Sequence, residues 1–233
     1  MGDTAESELK AAMPRLGVRE RKAFETRRRL LATALDLIAR EGLDGVTIGV
    51  LADRSDIAVG TFYNYFPSRE AIIDTVIDLE IGAMGRRLDA LSSAVVDPVN
   101  AHSAALRHLV RAAIIDPVWG WFIVRLGLEN EAVFDILGER LVRSITRGVD
   151  SGRFLVSEVS TVSQMTIGAL LAAVKVFLKT ERSVGEAGSF FVEHHLRALG
   201  ISAEEASRIS VRPLPELPVI ADQGALSIVR IAL

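Results

Sequence analysis

Residues 47–69, TIGVLADRSDIAVGTFYNYFPSR, constrain the fold of this chain most strongly, because they predict two short helices joined by a tight turn. Thr47 precedes an apolar run and is placed as an N-cap, so the first helix is expected to extend to about Arg54. Asp56 can adopt the left-handed conformation that the corner requires, and Ile57 is expected to turn inward. The pattern is typical of a helix-turn-helix DNA reader, with a plain helical hairpin as the structural alternative.

The second helix of this unit is predicted over residues 58–65. It has to end by Phe66, because Pro67 disfavours helical geometry in the residue before it. Phe62 is expected to pack inward, while Gly60 would allow a DNA backbone to approach closely. The side chains that offer groups to phosphates or base edges are those of Thr61, Tyr63 and Asn64.

This stretch resembles the recognition unit of the TetR (tetracycline-repressor) family of transcription regulators, over about residues 20–80. The matching residues are Thr47, Leu51, Ala52, Gly60, Thr61, Tyr63, Tyr65, Phe66 and Arg69. The resemblance implies an all-α fold, in which a three-helix helix-turn-helix DNA-binding domain precedes a larger helical domain for effector binding and dimerisation. It also implies a DNA-binding set of Thr47, Ala58, Val59, Gly60, Thr61, Tyr63, Asn64, Tyr65 and Arg69.

Within that set we expect the side chains of Thr47, Tyr63, Tyr65 and Arg69 to contact phosphates. Val59, Gly60, Thr61 and Asn64 are expected to lie near base edges. Three positions depart from the family pattern: Ala58 replaces a capping serine or threonine, Val59 a lysine, and Asn64 a histidine. Val59 cannot pair with a phosphate, but its methyl groups can contact a thymine methyl in the major groove.

Composition narrows the alternatives for the rest of the chain. A length of 233 residues with 49% hydrophobic content suits a small reader domain and a larger core. The absence of cysteine excludes disulfides and thiol nucleophiles, and it suits the cytoplasm. The first ten residues, MGDTAESELK, lack the apolar core of a signal peptide. The most apolar run, residues 167–178, is short for a bilayer and contains Lys175, so it predicts a buried helix rather than a membrane span.

The net charge of −3 does not by itself favour nucleic acid as a partner, but the distribution of basic residues does. They cluster near the start of the first long helix, beside the reader, where they can attract phosphates regardless of sequence. A solvated helix face is the alternative. Arg15 and Arg19 could also form an arm into the minor groove. The basic residues are Arg15, Arg19, Arg21, Lys22, Arg27, Arg28 and Arg29.

We predict four segments: a flexible N-terminal arm (1–18), the DNA-binding domain (19–80), the effector-binding and dimerisation domain (81–212) and a C-terminal tail (213–233). Gly42 is expected to end the first long helix in a left-handed conformation. No stretch predicts a strand. The remaining helices are expected over 20–41, 68–92, 98–116, 129–151, 161–182 and 186–199, with a short one capped by Ser202.

Two groups of residues in the second half are candidates for binding. Aromatic residues interrupted by Gly120 could line an effector pocket together with an arginine, and they are Trp119, Trp121, Phe122 and Arg125. Residues two apart diverge on a helix, so at most one tryptophan is expected to face a ligand. Small and apolar residues on the last two long helices are candidates for a homodimer interface, with ordinary core packing as the alternative, and they are Gly168, Leu171, Ala172, Phe177, Phe190 and Phe191.

An enzyme is not expected, because the chain carries no phosphate-binding loop, dinucleotide fingerprint or nucleophile elbow. His194 and His195 diverge on a helix, as do His102 and His108, so none of them predicts a metal site, and we place them on the surface or in an interface. No metal or cofactor is predicted. We therefore expect a ligand-responsive regulator, most often a repressor in this family, that binds double-stranded DNA as a dimer and responds to an unknown small molecule. A helical ligand-binding or protein-interaction module with little DNA affinity, and an unrecognised helical enzyme, are the alternatives.

Overall fold

The structure, a computed structural model, describes residues 17–218 and residue 220, apart from the side chains of residues 128, 129 and 131–133. Nearly all of the predicted arm and most of the predicted tail lie outside these residues. Every regular element that is described is helical, which confirms the all-α class. The elements are α1 (Val18–Glu41), a 3₁₀ turn (Leu43–Gly45), α2 (Ile48–Arg54), α3 (Val59–Phe62), α4 (Arg69–Ile77), a π turn (Asp78–Gly82), α5 (Ala83–Ala94), α6 (Pro98–Ile115), α7 (Pro117–Glu129), α8 (Glu131–Asp150), α9 (Val159–Phe177), α10 (Val184–Ala198) and α11 (Ala203–Ser210).

The first helix of the helix-turn-helix unit, α2, begins and ends where the sequence predicts. The side-chain oxygen of Thr47 accepts a hydrogen bond of 3.2 Å from the backbone N–H of Val50, which caps α2. Asp56 has a φ of 51°, the left-handed conformation expected at the corner. Gly42 ends α1 with a positive φ of 76°, as predicted, but its ψ of −171° lies outside the left-handed helical conformation.

The second reader helix is shorter than predicted, because α3 contains only Val59–Phe62. Beyond it, the backbone N–H of Asn64 bonds to the carbonyl of Thr61, and the N–H of Tyr65 bonds to the carbonyl of Phe62. These bonds span three residues rather than four, so the chain tightens into turns before Pro67. Tyr63 and Tyr65 therefore lie in a turn rather than in a helix.

Polar contacts hold α2 against α1 and so fix the orientation of the reader. The buried hydroxyl of Ser55 donates to that of Thr33 at 3.1 Å. The guanidinium of Arg54 bonds to Glu41 at 2.7 Å and approaches Asp36 at 3.8 Å. Both ion pairs are exposed, so we attribute most of the stabilisation at this junction to apolar burial, to which Leu51 contributes a fully buried side chain.

One long connection joins the reader to the second half of the chain. The sequence predicts a single helix over 68–92, but a π turn (Asp78–Gly82) separates α4 from α5. Such a turn inserts an extra residue into the helix and rotates the next helical segment, and periodicity gives no signal for it. Helix α4 buries Ile72 and Ile73 in the reader, while α5 buries Leu88 and Leu91 in the second half.

The second half packs helices on both sides of α6. Proline residues begin α6 and α7, each after a capping aspartate, Asp97 or Asp116. The helix expected over 98–116 corresponds to α6, whereas α7 is not among the predicted helices. Helix α6 packs on α10, α8 packs on α9, and α7 packs back against α1 of the reader. A continuous hydrophobic core therefore extends through both halves.

The sequence predicts a buried helix over residues 167–178, but the corresponding helix, α9, is only partly buried. It is long and apolar enough to cross a bilayer by length and composition, but only 33% of its apolar window is buried. Its inner side packs against α6, α7 and α8. Its outer side leaves Met165 and Val176 exposed. The sequence therefore predicts an apolar helix correctly, but it does not predict that one face of this helix is uncovered within the subunit.

The junction between α6 and α7 depends on Gly120. A Cβ atom at this position would lie 2.4 Å from the carbonyl oxygen of Ala113, a backbone atom that cannot move without shifting α6. We expect Gly120→Ala to lower the free energy of unfolding by about 1–3 kcal/mol, measured by urea denaturation. Gly185→Ala is the matched control, because a Cβ there meets nothing within 4 Å. Equal stability of the two variants would contradict this role of Gly120.

Candidate nucleic-acid interface and central cavity

The residues predicted to meet DNA lie on the outer surface of α3 and of the turn after it. Val59 and Tyr63 are 49% and 54% exposed, so both side chains are accessible to a partner. A Cβ atom at Gly60 would meet nothing within 4 Å, so packing inside the subunit does not require a glycine there. Of the rest of the predicted set in this segment, Ala58 and Asn64 are exposed, and Thr61 and Tyr65 are partly buried.

An aromatic cluster beneath this surface holds it in place. Phe62 is fully buried and Phe66 is 3% exposed. Their ring centroids lie 5.9 Å apart, and the ring of Phe62 meets that of Tyr63 edge to face at 5.6 Å. Tyr63 therefore rests on the core through one side of its ring.

Two members of the predicted phosphate-binding set already have partners within the reader. Thr47 is exposed, but its oxygen caps α2. Arg69 donates from its guanidinium to the backbone carbonyls of Val46 and Leu43. These bonds hold the loop before α2, so Arg69 has a positioning role within the reader, and its predicted contact with a phosphate stays a prediction.

Most of the predicted basic patch lies on α1 with exposed side chains. Arg27 places its guanidinium carbon 5.0 Å from the ring centroid of Phe66, which joins the patch to the aromatic cluster. Arg15 lies outside the described residues. The other exposed cations are Arg19, Arg21, Lys22, Arg28 and Arg29.

A cavity of about 50 Å³ lies in the second half, between α5, α6, α8 and α9. Most of its wall is aliphatic, with a few polar groups, which is the usual composition of a small-molecule site. The apolar lining comes from Leu88, Ala105, Leu106, Leu109, Leu137, Leu141, Ile167 and Leu170. The polar lining comes from Asp89, Ser92, His102, Arg140 and Ser144. We refer to this space as the central cavity.

An ion-pair cluster forms one polar part of the wall. Asp89 accepts from Arg140 at 3.1 Å and from Arg143 at 3.2 Å. The guanidinium of Arg140 lies against Gly85, where a Cβ atom would come within 2.4 Å of its central carbon. The absence of a side chain at Gly85 thus allows Arg140 to reach Asp89 along the surface of α5.

A pair of buried histidines forms the other polar part, and this corrects the prediction that His102 and His195 lie on the surface or in an interface. They are 1% and 9% exposed, and their Nε2 atoms are 3.0 Å apart. Nδ1 of His102 lies 2.8 Å from Oγ of Ser144. Phe154 meets the ring of His102 edge to face, and Phe191 stacks on that of His195. The two histidines are 93 residues apart, so sequence spacing could not reveal the pair.

Of the other two histidines, His108 is also buried, again contrary to prediction. Its Nε2 lies 2.9 Å from the carbonyl oxygen of Pro215, in the extended segment after α11. His194 is exposed, as the sequence predicted. Among the described residues, no group of three or more histidine, aspartate or glutamate side chains could hold a metal ion.

The buried histidines predict a loss of stability in acid. Burial, together with the neighbouring His195, lowers the pKa of His102 from 6.5 to about 3, and burial lowers the pKa of His195 to about 4. Between these values and 6.5 the unfolded chain binds protons that the folded protein does not, so the free energy of unfolding should fall as pH decreases through this window. His102→Gln should reduce that slope in urea denaturation between about pH 6.5 and pH 4.5. The exposed His194→Gln should retain it, and identical slopes in both variants would contradict the assignment.

The predicted aromatic pocket residues lie elsewhere, on α7, and none of them lines the central cavity. Trp119 and Phe122 are buried in the core. Trp121 is partly buried, with the guanidinium of Arg125 at 5.8 Å and the ammonium of Lys179 at 5.9 Å from its ring centroid. One tryptophan thus faces inward and the other outward, and an effector role for the four residues stays a prediction.

The residues predicted for dimerisation divide into two groups. Leu171, Phe177 and Phe191 are at most 7% exposed, so their apolar area is already packed within the subunit. Phe190, by contrast, is 45% exposed and carries the guanidinium of Arg182 over its ring at 4.6 Å. The outer face of α9 and α10, which we call the α9–α10 face, consists of Met165, Gly168, Ala169, Ala172, Val176 and Phe190.

Two family models match the chain. Residues 30–76 match the model described as bacterial regulatory proteins of the tetR family, and residues 97–212 match a tetracyclin repressor-like C-terminal domain. The two matches cover the reader and nearly all of the second half.

The chain is also similar to individual proteins. It is 34% identical to RolR. The structure of RolR with the ligand resorcinol superposes on this chain with a TM-score of 0.67, and the match covers 85% of this chain and 100% of RolR. The chain is 29% identical to the HTH-type transcriptional repressor KstR of Mycobacterium tuberculosis over 94 residues. This aligned segment is 40% of this chain and 43% of KstR. A gamma-butyrolactone receptor, 14% identical with a TM-score of 0.64, shares the fold over 82% of this chain. The tetR family and the KstR repressor are transcription regulators rather than enzymes.

Proposed function

This chain belongs to the TetR family of transcription regulators, and we propose that it is a cytoplasmic repressor that binds an inverted-repeat operator as a homodimer and leaves it when a small aromatic molecule enters the central cavity. The observation that carries the proposal is the exposed surface of α3 above a buried aromatic cluster. The cations of α1 adjoin this surface through Arg27, which lies over the ring of Phe66, so exposed side chains and positive charge occur together.

The proposed DNA contacts follow from exposure. Val59, Gly60, Thr61 and Asn64 are placed to approach base edges in the major groove, where Val59 can meet a thymine methyl. Tyr63 and Tyr65 offer hydroxyl groups to phosphates, as does the cap residue Thr47 through its hydroxyl hydrogen. The cations of α1 add attraction that does not depend on sequence. Arg69 supports these contacts indirectly, by holding the loop before α2.

Dimerisation is proposed through the α9–α10 face. Gly168 and Ala172 allow a partner helix to approach closely, and Phe190 supplies apolar area. The inner side of α9 packs on three helices of its own subunit, so we interpret its exposed apolar stripe as a protein contact rather than a membrane contact. Two readers about 34–36 Å apart would then read the two halves of an inverted repeat.

The lining of the central cavity favours a compact aromatic effector, since its aliphatic wall suits a ring. The cavity volume of about 50 Å³ is smaller than the roughly 150 Å³ of an engineered cavity that binds benzene, so we propose that the walls move apart when the effector binds. Asp89 and Arg140 offer an acceptor and donors at one edge. RolR, the similar protein with 34% identity, binds resorcinol, so a phenol is the chemical class we propose.

The route from cavity to DNA runs through the connection between the two halves. Leu88, Asp89 and Ser92 of α5 line the cavity, and α5 continues through the π turn into α4. Helix α4 packs its buried isoleucines against α1 of the reader. An effector that binds the non-DNA-competent arrangement more tightly would tilt this connection and change the separation of the two readers.

The DNA-binding part is tested by selecting DNA from a random pool with the purified protein at near-physiological salt. We expect an inverted repeat, and Tyr63→Ala should weaken its binding across sequences. Leu155→Ala is the control, because Leu155 is 76% exposed and lies in the second half of the chain. Recovery of non-specific affinity alone would favour a ligand-binding or partner-binding module instead.

The effector part is tested by calorimetric titration with resorcinol and phenol. We expect binding to the wild-type protein, and a loss in Ala105→Leu, which fills part of the cavity from α6. Ala94→Leu, an exposed position on the end of α5, should bind as the wild type does. Undiminished binding by Ala105→Leu would place the effector site elsewhere, with the predicted α7 residues as the next candidates.

A further inference from the structure

Three polar groups connect the wall of the central cavity to α10. Ser144 and His102 both line the cavity. Nδ1 of His102 contacts Oγ of Ser144 at 2.8 Å, and its Nε2 contacts Nε2 of His195 at 3.0 Å. His195 lies on α10, the helix that contributes Phe190 to the α9–α10 face. The three groups thus form an unbroken path from the cavity to the helix pair proposed for dimerisation.

Burial lowers the pKa of His102 to about 3 and that of His195 to about 4, so both rings are neutral near pH 7 and the protons on this path are constrained. A neutral imidazole carries one N–H and one lone pair. The contact between the two Nε2 atoms can be a hydrogen bond only if one ring is protonated at Nε2 and the other is not. If Nε2 of His102 is protonated, its Nδ1 is bare and accepts from the hydroxyl of Ser144. If Nε2 is bare, Nδ1 is protonated and donates to Ser144.

Two complete orders satisfy both contacts. In the outward order, the hydroxyl of Ser144 donates to Nδ1 of His102, and Nε2–H of His102 donates to His195, so Oγ of Ser144 is left to accept from a ligand. In the inward order, Nε2–H of His195 donates to His102, and Nδ1–H of His102 donates to Ser144, whose hydroxyl hydrogen is then free to point into the cavity. Each order holds three protons on the path. Conversion from outward to inward takes one proton up at Ser144 and releases one from Nδ1 of His195.

We propose that Ser144, His102 and His195 form a reversible hydrogen-bond relay with which the central cavity recognises a hydroxyl or carbonyl group of the effector. The inference rests on the proposed effector role of this cavity. Ser144 contacts the ligand, and the two histidines are positioning residues that set its hydrogen-bonding sense. A phenol, which is a strong donor, selects the outward order, whereas an aldehyde, which only accepts, selects the inward order.

The surroundings support a recognition role. The neighbouring wall is aliphatic, formed by Leu106, Ile167 and Leu170. Burying two imidazoles beside this wall costs desolvation free energy, and apolar side chains in their place would avoid that cost. The rings are also held firmly, by Phe154 on one side and Phe191 on the other, so a change of order can alter the hydrogen bonds without moving the rings.

The relay is tested by nitrogen NMR of the full-length protein labelled with ¹⁵N in histidine, which distinguishes protonated from bare ring nitrogens. Without ligand, we expect only one of His102 and His195 to be protonated at Nε2. Saturating resorcinol should increase the fraction of His102 protonated at Nε2, and benzaldehyde should decrease it. Ser144→Ala should abolish both responses and weaken resorcinol binding by roughly 2- to 10-fold, as expected for one hydrogen bond.

Substitutions of His195 separate positioning from packing. His195→Gln retains an amide that can donate or accept, so resorcinol affinity should stay within about 3-fold of wild type. His195→Phe fills the same space without a hydrogen bond, and it should lose the tautomer response and a share of affinity similar to that lost in Ser144→Ala. Urea denaturation of both variants establishes that they are folded.

The outcomes distinguish this inference from the proposed function. If resorcinol binds while both histidine tautomers stay unchanged, the relay is refuted and the effector cavity stands. The same protonation state at both Nε2 atoms in the free protein would also refute it. If neither resorcinol nor phenol binds the wild-type protein, the proposed effector class fails, and the recognition role of the relay fails with it.

Discussion

Replacing Val59 with glutamate is expected to weaken operator binding by at least about 100-fold while leaving the fold intact. Val59 is half exposed on α3, so the new carboxylate is well hydrated in the free protein. Against DNA it would be desolvated in the major groove, between the two phosphate backbones, and unfavourable like-charge placement in an interface costs several kcal/mol. The measurement is fluorescence anisotropy with the operator recovered by selection, at constant ionic strength.

Val96→Glu is the matched control for this charge change. Val96 is 94% exposed in the loop between α5 and α6, away from the reader, and it undergoes the same change of side chain. Its operator affinity should stay within about 3-fold of wild type, since a distant surface charge is largely screened. If both variants lose affinity equally, the loss reflects net charge, and α3 is not the recognition surface.

Replacing Ala172 with glutamate is expected to convert the dimer into a monomer at micromolar concentration. Ala172 is exposed within one subunit, at the middle of the α9–α10 face, so the change should cost the isolated subunit little. In a two-fold symmetric dimer, two unpaired carboxylates would be buried, and each such charge costs about 3–5 kcal/mol. Analytical ultracentrifugation measures the mass, and operator affinity should fall together with dimerisation because each half-site then binds alone.

Ala203→Glu provides the matched control for the dimer variant. Ala203 is exposed in the first turn of α11, where a carboxylate is favoured by the helix dipole. This variant should keep the mass and operator affinity of the wild type. A dimer that persists in Ala172→Glu would exclude the α9–α10 face as the interface.

The parts of the molecule that the sequence predicts well depend on local chemistry. The cap at Thr47, the corner at Asp56 and the start of α6 after Asp97 all follow from residues close together in the chain. The inward packing of Phe62 follows from helical periodicity. The resemblance over the reader adds the function class that local chemistry alone leaves open, and the family matches confirm it.

The parts that the sequence does not predict depend on contacts between distant segments. The pairing of His102 with His195 requires α6 and α10 to be adjacent, and the spacing of either histidine gives no sign of this. Arg69 turns back to carbonyls more than twenty residues earlier. The central cavity is formed by four helices, and the aliphatic residues that line it are less conspicuous in the sequence than the aromatic residues of α7, which lie outside it.

The most direct test of a ligand-controlled operator binder is the affinity of the purified protein for its selected operator, measured with and without saturating resorcinol at one salt concentration. We predict an inverted-repeat operator whose affinity falls at least about 10-fold when the ligand is bound, a coupling free energy of about 1.4 kcal/mol or more. Ligand binding confirmed by calorimetry with no change in operator affinity would contradict ligand control, because the cavity and the reader would then be uncoupled.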